Sequence, residues 1–290
     1  MPTFVALCLF ARFSYSLNDI FVGRLARRYG RVEVAAFRGA SLGLSMAPWL
    51  LLVPLRAWGA LIAHPFALLL TVAVTALGNL LHLQAARFIP FGLRGALMIT
   101  SMAACSLLIG WGVLDERLSA IQVALCVVLV ISGAAVALGS HADAAIEVDV
   151  PRGAAFTLAA GVVMAGAMTG VKFLARETHP LLAAWAWEFG AGAILLAPAL
   201  IRRAAPSADP VGVRFKHVAI ASLPTALASG ASVLALDFGE LGLWGALAGT
   251  QILFTAALGA LWHHEALGRL RWALMTVAAA AVAALALVGN

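Results

Sequence analysis

Long apolar stretches follow one another along the whole chain, and only short groups of charged residues, prolines or glycines separate them. Each stretch contains about 20 residues, the length that an α-helix needs to cross a hydrocarbon core roughly 30 Å thick. The apolar residues run continuously and do not alternate with polar ones, which favours helices over the strands of a β-barrel. We predict ten membrane-spanning helices, at residues 4–22, 32–53, 65–86, 93–114, 118–139, 153–174, 181–201, 217–238, 243–262 and 267–289.

The composition is that of a chain surrounded by lipid. Hydrophobic residues make up 63% of the 290 residues, charged residues make up 11%, and the mean hydropathy is +1.00. So few polar groups cannot cover the surface of a soluble globule of this size. The first apolar stretch has no basic segment before it, so we expect a retained helix and not a signal peptide. The sequence therefore predicts an all-α, multi-pass integral membrane protein with membrane lipids as its neighbours.

The positive charge of the chain has a simpler explanation than nucleic-acid binding. The net charge is +6 and the pI is near 10.0, but the basic residues lie singly or in small clusters between apolar stretches. This is the pattern of inter-helix loops, so we predict no nucleic-acid partner. Most of these residues follow helices one, three, five, seven and nine, as Arg24, Arg28 and Arg31 do. The positive-inside rule would place these loops in the cytoplasm and both termini outside.

A polar segment at residues 140–152 divides the chain into halves of similar length, 4–139 and 153–289. Shifting the first half by 149 residues onto the second makes residues match at one helix-to-helix corner. The matched residues are Gly110 with Gly259, Glu116 with Glu265, and Leu118 with Leu267. With five helices in each copy, the second copy would enter the membrane upside down. We therefore predict two inverted five-helix repeats joined by a polar linker.

The two corners and the opening of the chain carry recognisable sequence. The corners read LLIGWGVLDERLSAIQ and ALGALWHHEALGRL, each with a glycine before a Glu-x-Leu element. The opening reads SYSLNDIFVGRLARRYGRVEVAAFRG, with Asp19 on the first helix and Arg38 early in the second. Because these elements occur in this order and accompany the repeat, the chain resembles the EamA-type branch of the drug/metabolite transporter superfamily over nearly its whole length.

The resemblance implies a secondary transporter of the cell (inner) membrane that moves a small metabolite through a central cavity by alternating access. It does not identify the metabolite: an amino acid, a nucleotide-like solute and a drug-like solute all stay open, as do a monomer and a homodimer. The chain has no GxxxxGK[ST] sequence, so we expect coupling to protons or to exchange and no cofactor. Family members usually place both termini inside the cell, whereas the positive-inside rule places the termini of this chain outside. The orientation therefore stays open.

Ionisable residues inside the apolar stretches mark the candidate site. Each costs about 2.5–3.5 kcal/mol to insert and is kept mainly where it faces protein or water. Glu188 is the deepest carboxylate, and an apolar cavity would favour its neutral form, which makes it a candidate for proton coupling. Arg38 could bind a substrate carboxylate or phosphate through its planar guanidinium. The alternative for both is a permanent ion pair, because the 149-residue offset places Arg38 opposite Trp187, next to Glu188.

Further polar and aromatic residues complete the predicted cavity. Arg12 and Asp19 lie about two helical turns apart on the first helix and share a face with Tyr15. Trp187 could hold a cation or an apolar ring, or could serve as a packing residue. Neutral groups at membrane depth would give specificity or, alternatively, only join helices by hydrogen bonds. The neutral candidates are Asn79, His82 and Gln251.

Ionisable residues near helix ends are predicted to be structural. The side chain of Lys172 can reach the membrane interface from its position near the end of a helix. Glu116 and Glu265 are predicted to cap the helix that follows each corner, because carboxylates are favoured at helix N-termini.

No complete enzyme motif is present. The run His263-His264-Glu265 would need a histidine at position 268 to form the zinc motif HExxH, and that position is Gly268. We predict no metal site and no enzymatic activity. A membrane scaffold or an intramembrane lipid-modifying enzyme is the alternative to a transporter.

Overall fold

The computed structural model describes residues 2–89, 91–138, 149–201, 209–263 and 268–288. Within these ranges the chain forms α-helices and one short 3-10 helix, with no β-strand. The α-helices are α1 (Pro2–Tyr29), α2 (Arg31–Met46), α3 (Leu55–Ala63), α4 (Pro65–Ala85), α5 (Phe91–Gly112), α6 (Ala120–Leu138), α7 (Val150–Glu177), α8 (Pro180–Ile201), α9 (Val211–Phe238), α10 (Leu241–Ala248), α11 (Thr250–His263) and α12 (Arg269–Val288). The 3-10 helix, Ala47–Leu52, follows α2. Most of the predicted linker, residues 140–148, and the predicted cap Glu265 lie outside the described residues.

The length and hydropathy of these helices fit a multi-pass membrane protein. Six described segments are long and apolar enough to cross a membrane: Pro2–Ala26, Arg31–Leu52, Pro65–Ala85, Pro151–Glu177, Pro180–Ile201 and Val211–Phe238. Four shorter apolar helices accompany them: Leu97–Gly112, Ala120–Ser132, Leu241–Thr255 and Trp272–Leu285. Large apolar side chains such as Phe66, Leu108 and Ile201 are exposed on the outside of the bundle, as expected of a surface that faces lipid. The predicted all-α membrane class is confirmed.

Two of the predicted helices are interrupted. The second, 32–53, is α-helical only to Met46, because Pro48 has no N–H with which to continue the helical hydrogen bonds. The ninth, 243–262, is divided at Gly249, whose N–H bonds to the carbonyl of Ala246 three residues back, at 2.9 Å. The short helix α3 was not predicted, because its nine residues are too few to cross a membrane.

The largest helix contacts join the two halves of the chain. Helix α1 packs against α9, α2 against α8, α4 and α5 against α7, α5 also against α10, and α6 against α12. Each of these pairs takes one helix from before the predicted linker and one from after it. The core is therefore shared, and both halves are needed to enclose a site at its centre.

Two glycines bring the backbones of α2 and α8 together where these helices cross. A Cβ atom on Gly39 would overlap the Cα atom of Gly192 and would lie 2.8 Å from the carbonyl oxygen of Glu188. Backbone atoms cannot turn aside as the end of a flexible side chain can. Small residues at such crossings allow the close packing that holds membrane helices together.

We expect Gly39→Ala to lower the free energy of unfolding by about 1–3 kcal/mol, because the added methyl group forces α2 and α8 apart. Thermal unfolding of the purified protein in detergent measures this loss as a lower melting temperature. Gly59→Ala in α3 is the matched control, since nothing lies within 4 Å of a Cβ at that position. An unchanged melting temperature for Gly39→Ala would contradict the close-packing interpretation.

A buried ion pair connects the first corner to the second half. The Nζ atom of Lys172 lies 2.5 Å from Oε1 of Glu116, and Lys172 is only 1% exposed. The two oxygens of Glu116 also accept the backbone N–H groups of Leu241 and Gly242, at 2.8 and 3.0 Å. The prediction that Lys172 reaches the membrane interface is therefore wrong, because its charge is compensated inside the protein. Glu116 does cap a helix N-terminus, but the helix is α10 and not the following helix α6.

Candidate functional site

A cavity lies between the two halves of the chain. Its volume is about 1030 Å³, including the open region at its mouth. On α1 the lining residues run from Arg12 to Val22, and on α5 they begin at Arg94. The cavity therefore extends from the middle of the bundle toward the face at which α1 ends and α2 and α5 begin.

All nine site residues predicted from the sequence line this cavity. They are Arg12, Tyr15, Asp19, Arg38, Asn79, His82, Trp187, Glu188 and Gln251. They come from α1, α2, α4, α8 and α11, which are far apart along the chain. They meet in space because polar groups at membrane depth are stabilised only where they face protein or water.

Arg38 and Glu188 form an ion pair where α2 crosses α8. The Nη1 and Nη2 atoms of Arg38 donate to the two carboxylate oxygens of Glu188, at 3.2 and 3.3 Å. The ion pair that the sequence left open as one of two alternatives is therefore present in the structure. The Glu188 side chain is 1% exposed and that of Arg38 is 16% exposed, so the carboxylate is enclosed while the guanidinium borders the cavity.

A hydroxyl chain extends this ion pair toward α1. The Ser229 hydroxyl donates to Oε1 of Glu188 at 2.5 Å. The hydroxyl oxygen of Tyr15 lies 3.0 Å from that of Ser229. Glu188 is thereby connected to α1, α2 and α9, and its carboxylate oxygens are occupied by donors from the protein.

Arg12 lies deep in the same cavity in a different environment. Its guanidinium carbon lies 4.2 Å from the ring centre of Trp244 and 5.6 Å from that of Tyr15. Stacking on these rings stabilises the cation through the negative face of each π-system. Arg12 is only 3% exposed, and its Nε and Nη2 atoms have no hydrogen-bond acceptor among the described residues.

Asp19 forms a second polar group nearer the mouth of the cavity. Its carboxylate accepts a hydrogen bond from the Gln251 amide at 2.8 Å, and the positive charge of Arg94 acts on it. Arg94 was not among the predicted site residues. It is the second residue of the predicted helix 93–114, where an arginine resembles a charge that flanks the membrane. It is nevertheless only 3% exposed and lines the cavity.

The remaining wall is mainly apolar and comes from α5 and α7. Met98 and Met102 on α5 face the same cavity as Met164 and Met168 on α7. Methionine in apolar stretches carries no signal that separates a cavity wall from packed core, so the sequence could not select these residues. The Nε1 atom of Trp187 in α8 is buried without an acceptor among the described residues.

No metal site is evident in the part of the chain that the structure describes, where no three His, Cys, Asp or Glu side chains come close enough to hold an ion. The side chains that line the cavity offer hydrogen bonding, ion pairing and apolar contact. Such a set of groups can bind and release a solute.

The fold and the cavity define a multi-pass membrane protein with a partly polar cavity between its two halves. Residues 151–287, just under half of the chain, match the model of the EamA-like transporter family. The second half is therefore similar to the EamA-like transporter family, part of the drug/metabolite transporter superfamily, and this match confirms the resemblance seen in the sequence. This match and the apolar helices support a multi-pass membrane transporter.

The similarity to a known fold extends over the whole chain. A solved crystal structure, described only as that of a protein, is 16% identical and has a TM-score of 0.74, covering 99% of this chain and 95% of its own. At this identity the similarity concerns the fold alone. No curated protein matches the chain.

Proposed function

We propose that the protein is a secondary transporter of the cell (inner) membrane that carries a small metabolite through the described cavity by alternating access. The observation that carries this proposal is the cavity itself. Three arginines and Asp19 from the first half and Glu188 from the second half line one cavity inside an otherwise apolar bundle. Charged side chains at membrane depth are costly and typically mark substrate or ion pathways.

Ten spans in two inverted five-helix repeats are part of this proposal. The six long spans and four shorter apolar helices add up to that number, with α10 and α11 forming one span. The offset of 149 residues carries Arg31 to Pro180 and Ala120 to Arg269, the first residues of α8 and α12. The same offset makes α7 the counterpart of α1, and α9 the counterpart of α4. The contact between α1 and α9 therefore corresponds to the contact between α7 and α4, and both are present. Reciprocal packing of this kind is expected of repeats related by a two-fold axis.

The Arg38–Glu188 pair is the proposed link between binding and movement. A proton or a substrate group that reaches Glu188 must compete with Arg38 and Ser229 for the carboxylate oxygens. This competition weakens a bond between α2 and α8 at the point where these helices cross. Coupling to protons or to exchange would then act directly on the interface that must move when the halves rock about the site.

A cavity-filling variant tests the proposal. Met98→Trp on α5 places a large ring in the cavity. The control, Leu108→Trp, places the same ring on the same helix, at a side chain that is 65% exposed. We expect untargeted metabolite profiling, inside and outside expressing cells, to show one metabolite class redistributed by the wild type and by Leu108→Trp. Met98→Trp at the same membrane level should abolish that redistribution.

Two results would contradict transport through this cavity. If no metabolite differs from cells without the protein, the transporter proposal fails. If a new lipid or other product appears while nothing redistributes, the protein is an enzyme of the membrane.

A further inference from the structure

The charges that line the cavity do not balance one another. Among the described residues that line the cavity, three arginines face two carboxylates, Asp19 and Glu188. Glu188 is paired with Arg38, and Asp19 experiences the charge of Arg94. Among the described residues, no carboxylate forms an ion pair with Arg12. With neutral histidine, the set carries one positive charge in excess, and that charge is located at Arg12.

The surroundings of Arg12 leave its hydrogen-bonding capacity unused. Two of its guanidinium nitrogens are buried without an acceptor among the described residues, and so is the indole nitrogen of Trp187 in the same cavity. Burying donors without acceptors is unfavourable, and burying an uncompensated cation in a membrane protein is more so. The rings of Trp244 and Tyr15 hold the guanidinium in place but offer no formal negative charge. A ligand that brings an anionic oxygen would satisfy both requirements.

We infer that the substrate is an organic monoanion with an apolar body, whose carboxylate or equivalent anionic group binds Arg12. This inference rests on the proposed transport function and names the substrate class of the same cavity. The excess of one positive charge matches one negative charge on the substrate. A guanidinium suits such a group because it donates two parallel hydrogen bonds to the oxygens of a carboxylate.

The apolar part of the substrate follows from the remaining wall. Four methionines on α5 and α7, together with the rings of Trp187 and Trp244, line the space around the polar groups. Methionine adapts its shape to its neighbour, and its sulfur makes favourable contacts with aromatic rings. An aromatic or branched apolar body is therefore the best complement. An amino acid is a poorer one, because Arg38 and Ser229 already occupy Glu188, and Gln251 already binds Asp19.

Equilibrium binding of radiolabelled 3-phenylpropionate to the full-length protein in lipid nanodiscs tests this inference. We expect saturable binding by the wild type, competition by unlabelled acid, and at least about tenfold weaker competition by 3-phenylpropionamide and by phenylalanine. Arg12→Gln should weaken binding of the acid at least about tenfold and leave the weak binding of the amide unchanged. Arg12→Lys, which keeps the charge, should retain part of the affinity. Arg176→Gln is the control, since that arginine is exposed near the end of α7.

Three results would overturn the inference: no saturable binding of the acid by the wild type, equal binding of acid and amide, or unchanged binding of the acid by a folded Arg12→Gln variant. Elution of each variant as a single species in size-exclusion chromatography establishes that it is folded. If the acid fails to bind while metabolite profiling shows a neutral or cationic solute moved by the wild type, this inference is wrong and the transporter proposal stands. If the acid binds but no solute redistributes, the site is real and the transporter proposal fails.

Discussion

Glu188→Ala is expected to reduce transport to background and to lower the free energy of unfolding by about 3 kcal/mol, the lower end of the cost of breaking a buried ion pair. The substitution removes the carboxylate that holds Arg38 at 3.2 and 3.3 Å and that accepts the Ser229 hydroxyl. Because the Arg38 side chain is 16% exposed and borders the cavity, it keeps partial solvation, which limits the loss. Solute uptake into proteoliposomes and thermal unfolding measure the two effects.

A double variant separates the structural role of this pair from its role in transport. Arg38→Met combined with Glu188→Leu removes both charges, so no unpaired ion remains and most of the stability should return. Transport should stay lost if the pair links binding to movement. Recovery of both transport and stability would show that the pair is only structural. Glu177→Ala is the matched control, because that carboxylate, near the end of α7, is 48% exposed.

The grouping of the nine candidate residues around one cavity could be predicted from the sequence because of one physical constraint. Polar groups inside apolar stretches must avoid lipid, so they gather in one place even when they lie on different helices. This is why Arg12 on α1, Asn79 on α4 and Gln251 on α11 border the same cavity. The 149-residue offset also suggested the Arg38–Glu188 pair, because it places Arg38 opposite Trp187, next to Glu188.

Partners that come from tertiary packing could not be predicted in this way. Lys172 and Arg94 both lie near helix ends, where hydropathy alone favours a side chain that reaches the interface. The structure buries both of them, Lys172 against a carboxylate of the other half. Two guanidinium nitrogens of Arg12 have no acceptor among the described residues, because of which side chains pack around them. No pattern along the sequence could predict this.

Glu116→Ala is expected to lower the free energy of unfolding by about 3–5 kcal/mol, the cost of leaving one member of a buried ion pair alone. Among the described residues, Lys172, which is 1% exposed, would keep one hydrogen bond, to the Gly239 carbonyl at 3.0 Å, and the more distant charge of Glu240. The N–H groups of Leu241 and Gly242 would also lose their acceptor at the start of α10. Thermal unfolding in detergent and the amount of protein in the membrane measure this effect.

Lys172→Met should cost less, about 1–3 kcal/mol, because Glu116 keeps its two backbone donors and remains satisfied at the positive end of α10. Adding Lys172→Met to Glu116→Ala should therefore restore part of the stability that Glu116→Ala removes, since the unpaired ammonium is gone. Arg117→Ala is the control, as that neighbouring side chain is 88% exposed. If Glu116→Ala proves no more damaging than Lys172→Met, then the carboxylate does not act as the cap of α10.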